Sequence, residues 1–287
     1  MQTVAWRWPG EKKGAILFNI CLEAWSDGKA PGIGPMGNPL PPGVLDTNAI
    51  SWAEYGATRG IYRLLDALGR SHVKSSVMTN AVLAERHPQA VKASADAGHE
   101  VLSHSYAMDV IPVLLSAEDE RTNIRRCTDL LSGVTGKPVT GWLSPRGTPS
   151  ANTGRLLAEA GYRWHGDVMD DDLPYVQAFG ERRLVAIPLN TDVNDMPFMR
   201  YGRAPETMLT IFEDIVARGL ARERGPFIVD VTVHAHIFGR PGGVWVVERI
   251  AELVAGSREL WTGTRGQMAA HILSLGAQIP VQRVGQG

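Results

Sequence analysis

A chain of 287 residues with 44% hydrophobic and 21% charged side chains has the composition of an ordinary globular protein, long enough to bury a full core without cross-links. Its 29 basic and 30 acidic side chains leave a formal charge of −1, which excludes the basic balance that a nucleic acid or anionic membrane partner calls for. The two cysteines, Cys21 and Cys127, lie far apart, the opening residues form no basic-then-apolar leader, and no run of roughly 18 apolar residues occurs. These features lead to the expectation of reduced thiols in a cytoplasmic protein without a membrane span.

The first predicted element is a buried strand over Ala15–Leu22, an apolar run between Gly14 and Glu23. From Ser26 to Gly43, glycine and proline crowd together, and that segment is read as a long loop, either functional or a surface insert. Arg59–Leu68 has apolar residues at helical spacing, Ser75–Thr79 is a strand, and Pro88–Ala97 is a helix with proline near its first turn. Glu100–Ser103 is a strand leading into His104, and Ala117–Leu131 a helix whose acidic first turn suits the helix dipole. There follow a strand over Pro138–Leu143, a helix over Ala151–Ala160 and a strand near Leu184–Ile187. A helix over Pro205–Ala217, a strand over Phe227–Val233, a helix over Val244–Val254 and a last strand–helix pair within Glu259–Leu273 complete the chain. About seven such alternations, without an internal repeat, predict one α/β domain over residues 1–287 with a parallel sheet. Its chemistry is then expected on the loops that follow the strands.

The reactive residues fall at those strand ends. Glu23 follows the first strand, His104 a later one, and Arg146 stands in Gly141-Trp-Leu-Ser-Pro-Arg146. Asp170, Asp171 and Asp172 precede Leu-Pro-Tyr175, Asn194 and Asp195 precede Met-Pro-Phe198, and His234 and His236 end another strand. Any one of the histidines could be a hydrogen-bonded structural residue, and three aspartates in a row are commonly a solvated turn or a cap. Like charges so close repel unless a cation offsets them, and Arg146 is expected to supply it by pairing with that run.

Four segments in this order resemble the NodB-type polysaccharide deacetylase superfamily, in particular its allantoinase-like and cyclic imide hydrolase-like branch. They are Trp142-Leu-Ser-Pro-Arg-Gly-Thr-Pro-Ser-Ala-Asn-Thr153, Asp171-Asp-Leu-Pro-Tyr175, Ile187-Pro through Asn194-Asp-Met-Pro-Phe198, and His234-Ala-His-Ile-Phe-Gly-Arg-Pro-Gly242. The resemblance covers about Ala15 to His271. It implies a deformed (β/α) barrel with about seven parallel strands and hydrolysis of a carbon–nitrogen bond other than a peptide bond. The substrate class it implies is a small cyclic amide, imide or ureide. Deacetylation of an N-acetylated sugar or amine is the alternative, and a catalytically inactive ligand-binding barrel is the alternative from another class.

Roles are expected for individual residues at these strand ends and loops. Glu23, His234, Arg146, Asp171 and Asp172 are expected to be catalytic, with His234 as the general acid, and Trp25, Tyr106, Asn194 and His236 to bind substrate. Typical members end the first strand with two acids and carry two histidines four residues apart; here Cys21 and Glu23 stand in the first pair of places, and Met108 follows His104. A thioether is a poor zinc ligand, so the expected metal set becomes Glu23, His104 and Asp109, holding a divalent metal such as zinc. The competing expectation is no metal, with hydrogen bonds from His234, Arg146 and backbone donors polarising the carbonyl. Cys21 is read either as a soft-metal ligand or as a buried inert thiol. A small-molecule substrate and a homo-oligomer, with neither nucleic acid nor membrane, complete the expectations.

Overall fold

The computed structural model describes residues 6–31, 40–41, 43–200, 202–221 and 225–284. Half of the glycine- and proline-rich loop expected over Ser26–Gly43 therefore lies outside the described residues, as does the start of the opening segment.

The chain alternates as predicted. Strand β1 (Gly14–Leu22) is followed by helix α1 (Thr47–Tyr55), a π-helical turn (Gly56–Gly60) and α2 (Ile61–Arg70). Then come β2 (Ser75–Thr79), α3 (Val82–Arg86), α4 (Pro88–Asp96), β3 (Glu100–Ser103), α5 (Ala117–Thr135), β4 (Gly141–Trp142), α6 (Thr153–Glu159) and β5 (Trp164–His165). The second half holds β6 (Tyr175–Phe179), β7 (Arg182–Ala186), β8 (Val193–Asn194), α7 (Asp195–Arg200), α8 (Pro205–Ala221) and β9 (Phe227–His234). It ends with α9 (Pro241–Ala255), β10 (Leu260–Thr262), α10 (Arg265–Ser274) and β11 (Val281–Arg283).

Strands β7, β5, β4, β3, β2, β1, β9 and β8 form one parallel run, with β10 also parallel to β1. This is the α/β deformed barrel that the resemblance implied. The sequence reading missed a hairpin: β6 runs antiparallel to β7, and β11 joins its outer edge. These additions, with two-residue strands such as β5 and β8, are too short or too polar to show a hydrophobic period.

Residues two apart share a face of a strand, and both faces of this sheet are buried. In β1, Ile16, Phe18, Ile20 and Leu22 face the surrounding helices, while Ala15, Leu17 and Cys21 join a second core on the inner face. β9 divides likewise: Val229, Val231 and Val233 pack outward, and Ile228 packs inward. The inner core is completed by Met268, Ala269 and Ile272 of α10 and by Trp6 and Trp8. No helix of the described residues is long and apolar enough to cross a membrane.

The same parity sends Asn19 and Asp230 inward, into that apolar filling. Arg265, fully buried at the start of α10, answers them. Its Nη2 donates to Asp230 Oδ1 at 2.7 Å, its Nε to Asn19 Oδ1 at 3.0 Å, and its Nη1 to the Ile187 carbonyl at 3.1 Å. Asn19 in turn donates to Asp230 Oδ1 at 3.0 Å.

The π-helical turn positions the loop after β9. The extra residue in its hydrogen-bond ring seats Gly56 and Gly60 directly on that loop. A Cβ on Gly60 would overlap the carbonyl oxygen of Ala235, and one on Gly56 would stand 3.2 Å from the His236 amide nitrogen.

Two stability measurements follow. Asp230→Ala leaves a buried guanidinium unpaired and is expected to cost about 3–5 kcal/mol in denaturant unfolding. An unchanged midpoint would mean that the pair contributes nothing. Alanine at a helical glycine ordinarily gains about 1 kcal/mol. Gly60→Ala is nevertheless expected to lower the melting temperature, because overpacking against backbone costs about 1–3 kcal/mol. A higher melting temperature would contradict the close approach.

Candidate active site

The parity that sends Asn19 and Cys21 inward carries on past the end of β1 to Glu23, and past the end of β9 to His236. Glu23 is buried, and three imidazoles surround its carboxylate. His234 Nε2 lies 3.5 Å and His104 Nε2 3.8 Å from Glu23 Oε1, and His236 Nε2 lies 4.0 Å from Oε2. Strands β1, β3 and β9 supply these four residues from their C-terminal ends, where a parallel barrel places its chemistry.

Each ring is held differently. His104 Nδ1 donates to the Leu143 carbonyl at 2.6 Å, which leaves Nε2 facing Glu23. His234 Nδ1 bonds Asp195 Oδ1 at 2.6 Å, and the other Asp195 oxygen accepts the backbone amides of His234 at 2.8 Å and Phe238 at 3.1 Å. His236 has no hydrogen-bond partner at either ring nitrogen. Asn80 ties two strand ends together: its Oδ1 accepts the Ala24 amide at 2.9 Å, and its Nδ2 donates to the His104 carbonyl.

The electrostatics follow from this packing. Burial alone raises the Glu23 carboxyl, but the imidazoles, His234 foremost, more than offset it and hold it at about 2. Burial pulls His234 down, and the facing Cys21, Glu23 and Asp195 reverse that and raise it well above the ordinary histidine value. Burial leads in lowering His236 to about 4 and in raising the Cys21 thiol. The site is thus a buried carboxylate facing the imidazolium of His234, with the lowered imidazole of His236 beside it.

Beside Glu23 opens a cavity of about 160 Å³, lined among others by Trp25, Ala53, Glu54, Ala57 and Arg86. Trp25, expected to bind substrate, lines this cavity, and Trp52 packs edge-on against His236 with ring centroids 4.5 Å apart.

Other expected residues stand elsewhere. Asp109 is exposed and accepts the Ser26 amide at 2.8 Å, so the set Glu23, His104 and Asp109 does not converge. One residue beyond Met108 the chain has already turned outward. Arg146 is exposed, in the left-handed region at φ 60°, and among the described residues it makes no ion pair with Asp170–Asp172. Those aspartates form a solvated turn: Asp170 accepts from Tyr175 Oη at 2.9 Å and Asp171 from the Leu173 amide at 3.0 Å. Asp171 and Asp172 are exposed and do not join Glu23. Tyr106 donates to Glu85 Oε2 at 2.6 Å beneath the Arg126 guanidinium, away from Glu23. Asn194 accepts the Met196 amide at 3.0 Å and so starts α7.

Asp195, Asn80 and Trp52 had no assigned role in the sequence. Asp195 was visible as a strand-end acid, but nothing in one dimension pairs it with a histidine 39 residues later. Among the described residues the one group that could hold a metal ion is Cys21, Glu23 and His234, whose ligand atoms lie within 4.8 Å of one another. Sulfur, oxygen and nitrogen donors together are a set that zinc accepts.

Comparison with known proteins agrees with this fold. The polysaccharide deacetylase family profile matches residues 53–165. A peptidoglycan deacetylase of Helicobacter pylori is 24% identical over 235 residues, 71% of this chain and 80% of that protein. The crystal structure of the PuuE allantoinase superposes with a TM-score of 0.82 at 26% identity, covering 94% of this chain and 93% of that one. A probable polysaccharide deacetylase from Pseudomonas aeruginosa PAO1 superposes with a TM-score of 0.81 at 25% identity, covering 95% of each chain. By its fold, the match of that profile to residues 53–165 and these relatives, the chain is similar to the polysaccharide deacetylase superfamily.

Proposed function

We propose that this chain hydrolyses a carbon–nitrogen bond, other than a peptide bond, in a small ring amide, imide or ureide. The observation that carries the reading is the buried Glu23 carboxylate among three imidazoles, beside a cavity of only about 160 Å³. Pockets for drug-sized ligands run roughly 300–1,000 Å³, so this one suits a single small ring better than a run of sugars. The likeness to an allantoinase supports the same substrate class.

Hydrolysis needs an activated water and a proton for the leaving nitrogen. His104 Nε2 and Glu23 Oε1 face each other across 3.8 Å as two acceptors, a gap that a water bridges by donating to both. As that water attacks the carbonyl carbon, His104 Nε2 takes its proton. The carbon–nitrogen bond then breaks, and His234 Nε2 protonates the departing nitrogen. Asp195 keeps His234 in the required orientation and supports its positive charge, as a third group does in a nucleophile–base–acid array. The ionised Glu23 holds water and substrate donors but is too weak a base at about 2 to abstract the proton itself.

A second reading, deacetylation of an N-acetylated sugar or amine, is supported by the family match and by the Helicobacter pylori relative. Members of the superfamily generally use a divalent metal; in this chain Cys21, Glu23 and His234 would hold it, and it would polarise the substrate carbonyl.

His234→Ala is expected to lower turnover by roughly 10²–10⁴-fold in protein that remains folded. Asp195→Ala should follow it in the same direction. Turnover within a few-fold of wild type in His234→Ala would remove the acid from the scheme. A panel of hydantoin, succinimide, allantoin and N-acetylglucosamine separates the two substrate readings. Chelation with metal analysis addresses the ion: proton transfer by His104 and His234 predicts full turnover in metal-free protein. A loss restored by zinc, and not restored in Cys21→Ser, would instead assign an ion to Cys21, Glu23 and His234.

A further inference from the structure

His236 is the polar group of this site that the scheme above leaves unused. Its ring is fully buried, yet neither nitrogen has a hydrogen-bond partner. Such a group costs free energy unless a bound molecule completes it. The ring is firmly placed: Arg240 Nε donates to the His236 carbonyl at 2.9 Å, Gly56 packs on its backbone, and Trp52 stands edge-on to it. Its Nε2 faces Glu23 Oε2 at 4.0 Å, beyond direct hydrogen bonding, and Glu23 lines the cavity. With the ring proton on Nε2, toward the carboxylate, a donor N–H and an acceptor oxygen stand side by side, with a gap between them and no partner for the donor.

We infer that Glu23 Oε2 and His236 Nε2 together bind the N–H and the carbonyl oxygen on one edge of a ring amide, so that the site selects ring amides over open-chain ones. In a small ring the amide is held cis, and its N–H and C=O point to the same side. An open-chain secondary amide prefers the trans form by roughly seventy-fold, with the two groups on opposite sides. It must therefore isomerise to use both partners, or leave one of them unpaired. The inference rests on the ring-amide reading of the substrate and adds which groups recognise it.

Calorimetric titration with 2-pyrrolidinone and its open-chain counterpart N-methylacetamide, run beside steady-state assays of the substrate panel, tests it. Wild type is expected to bind the ring amide at least ten-fold more tightly. His236→Phe keeps the aromatic volume and is expected to lose ten-fold or more of the ring-amide affinity, with little change for the open-chain amide. KM for a ring substrate should rise more than kcat falls. His236→Gln keeps an N–H and should retain most of the preference. Where phenylalanine does not fold, His236→Met, flexible enough to fill the same space, carries the same expectation. An unchanged ratio of the two affinities in His236→Phe or His236→Met overturns the inference. The underlying reading fails separately: wild type that hydrolyses N-acetylglucosamine and no ring amide overturns the substrate class. Hydrolysis of ring amides with the preference intact in the apolar variants overturns the role of His236 alone. Wild type that binds neither amide counts against both.

Discussion

Arg265 is fully buried inside the sheet, and each of its side-chain nitrogens has a partner there: Asn19, the Ile187 carbonyl and Asp230. The cost of removing a guanidinium and a carboxylate from water is several kcal/mol per ion, so such a pair stabilises little compared with a well-packed apolar replacement. What it does is constrain geometry. The fork of Arg265 accepts only one relative placement of β1, β9, the loop after β7 and the start of α10. A slip of one residue in β1 or β9 would turn Asn19 or Asp230 to the helix-facing side and strand the cation.

That register also decides where the chemistry stands. Two positions beyond Asn19 comes Cys21, and two further Glu23; two positions beyond Asp230 comes Thr232, and two further His234. Cys21 pairs in register with His234 across the β1–β9 ladder. The interior therefore reads upward from a paired charge, through a layer with Cys21, Met78, Leu102 and Leu143, to a carboxylate ringed by imidazoles. The sulfur-bearing layer keeps the lower pair and the upper site apart. In a low dielectric, the upper charges then answer chiefly to one another, which is why Glu23 is held low and His234 high.

The loops beyond the strand ends complete the site through backbone contacts more than through side-chain charge. Asn80 joins the ends of β1 and β3, Asp195 gathers the amide of His234 at the end of β9 and that of Phe238 beyond it, and the π-helical turn brings Gly56 against His236. Each of these holds a reactive ring from behind. Of the exposed charged residues of the rim, Asp109 accepts the amide of Ser26 from another loop, Asp170 and Asp171 make local turn contacts, and none of these or of Arg146 and Asp172 joins Glu23.

The order of strands and helices, the parallel sheet and the candidacy of Glu23, His104, His234 and His236 were legible in the sequence. Apolar runs between breakers mark strands, and ionisable residues directly after such runs fall at one end of a parallel sheet. Period and position along a strand are local properties, and one dimension records them. The pairing of those residues was not recorded there. Asp195 directly follows β8 and Asp109 stands six residues beyond β3, yet Asp109 faces solvent and Asp195 orients His234. Arg146 and the aspartate run looked complementary by charge, whereas their backbones carry them outward separately. Direction at a loop depends on a few backbone dihedrals and on what packs behind them. Only the assembled barrel, closing β1 on β9 and β3 around a shared interior, turned a list of strand-end residues into a carboxylate with three imidazoles within 4.0 Å.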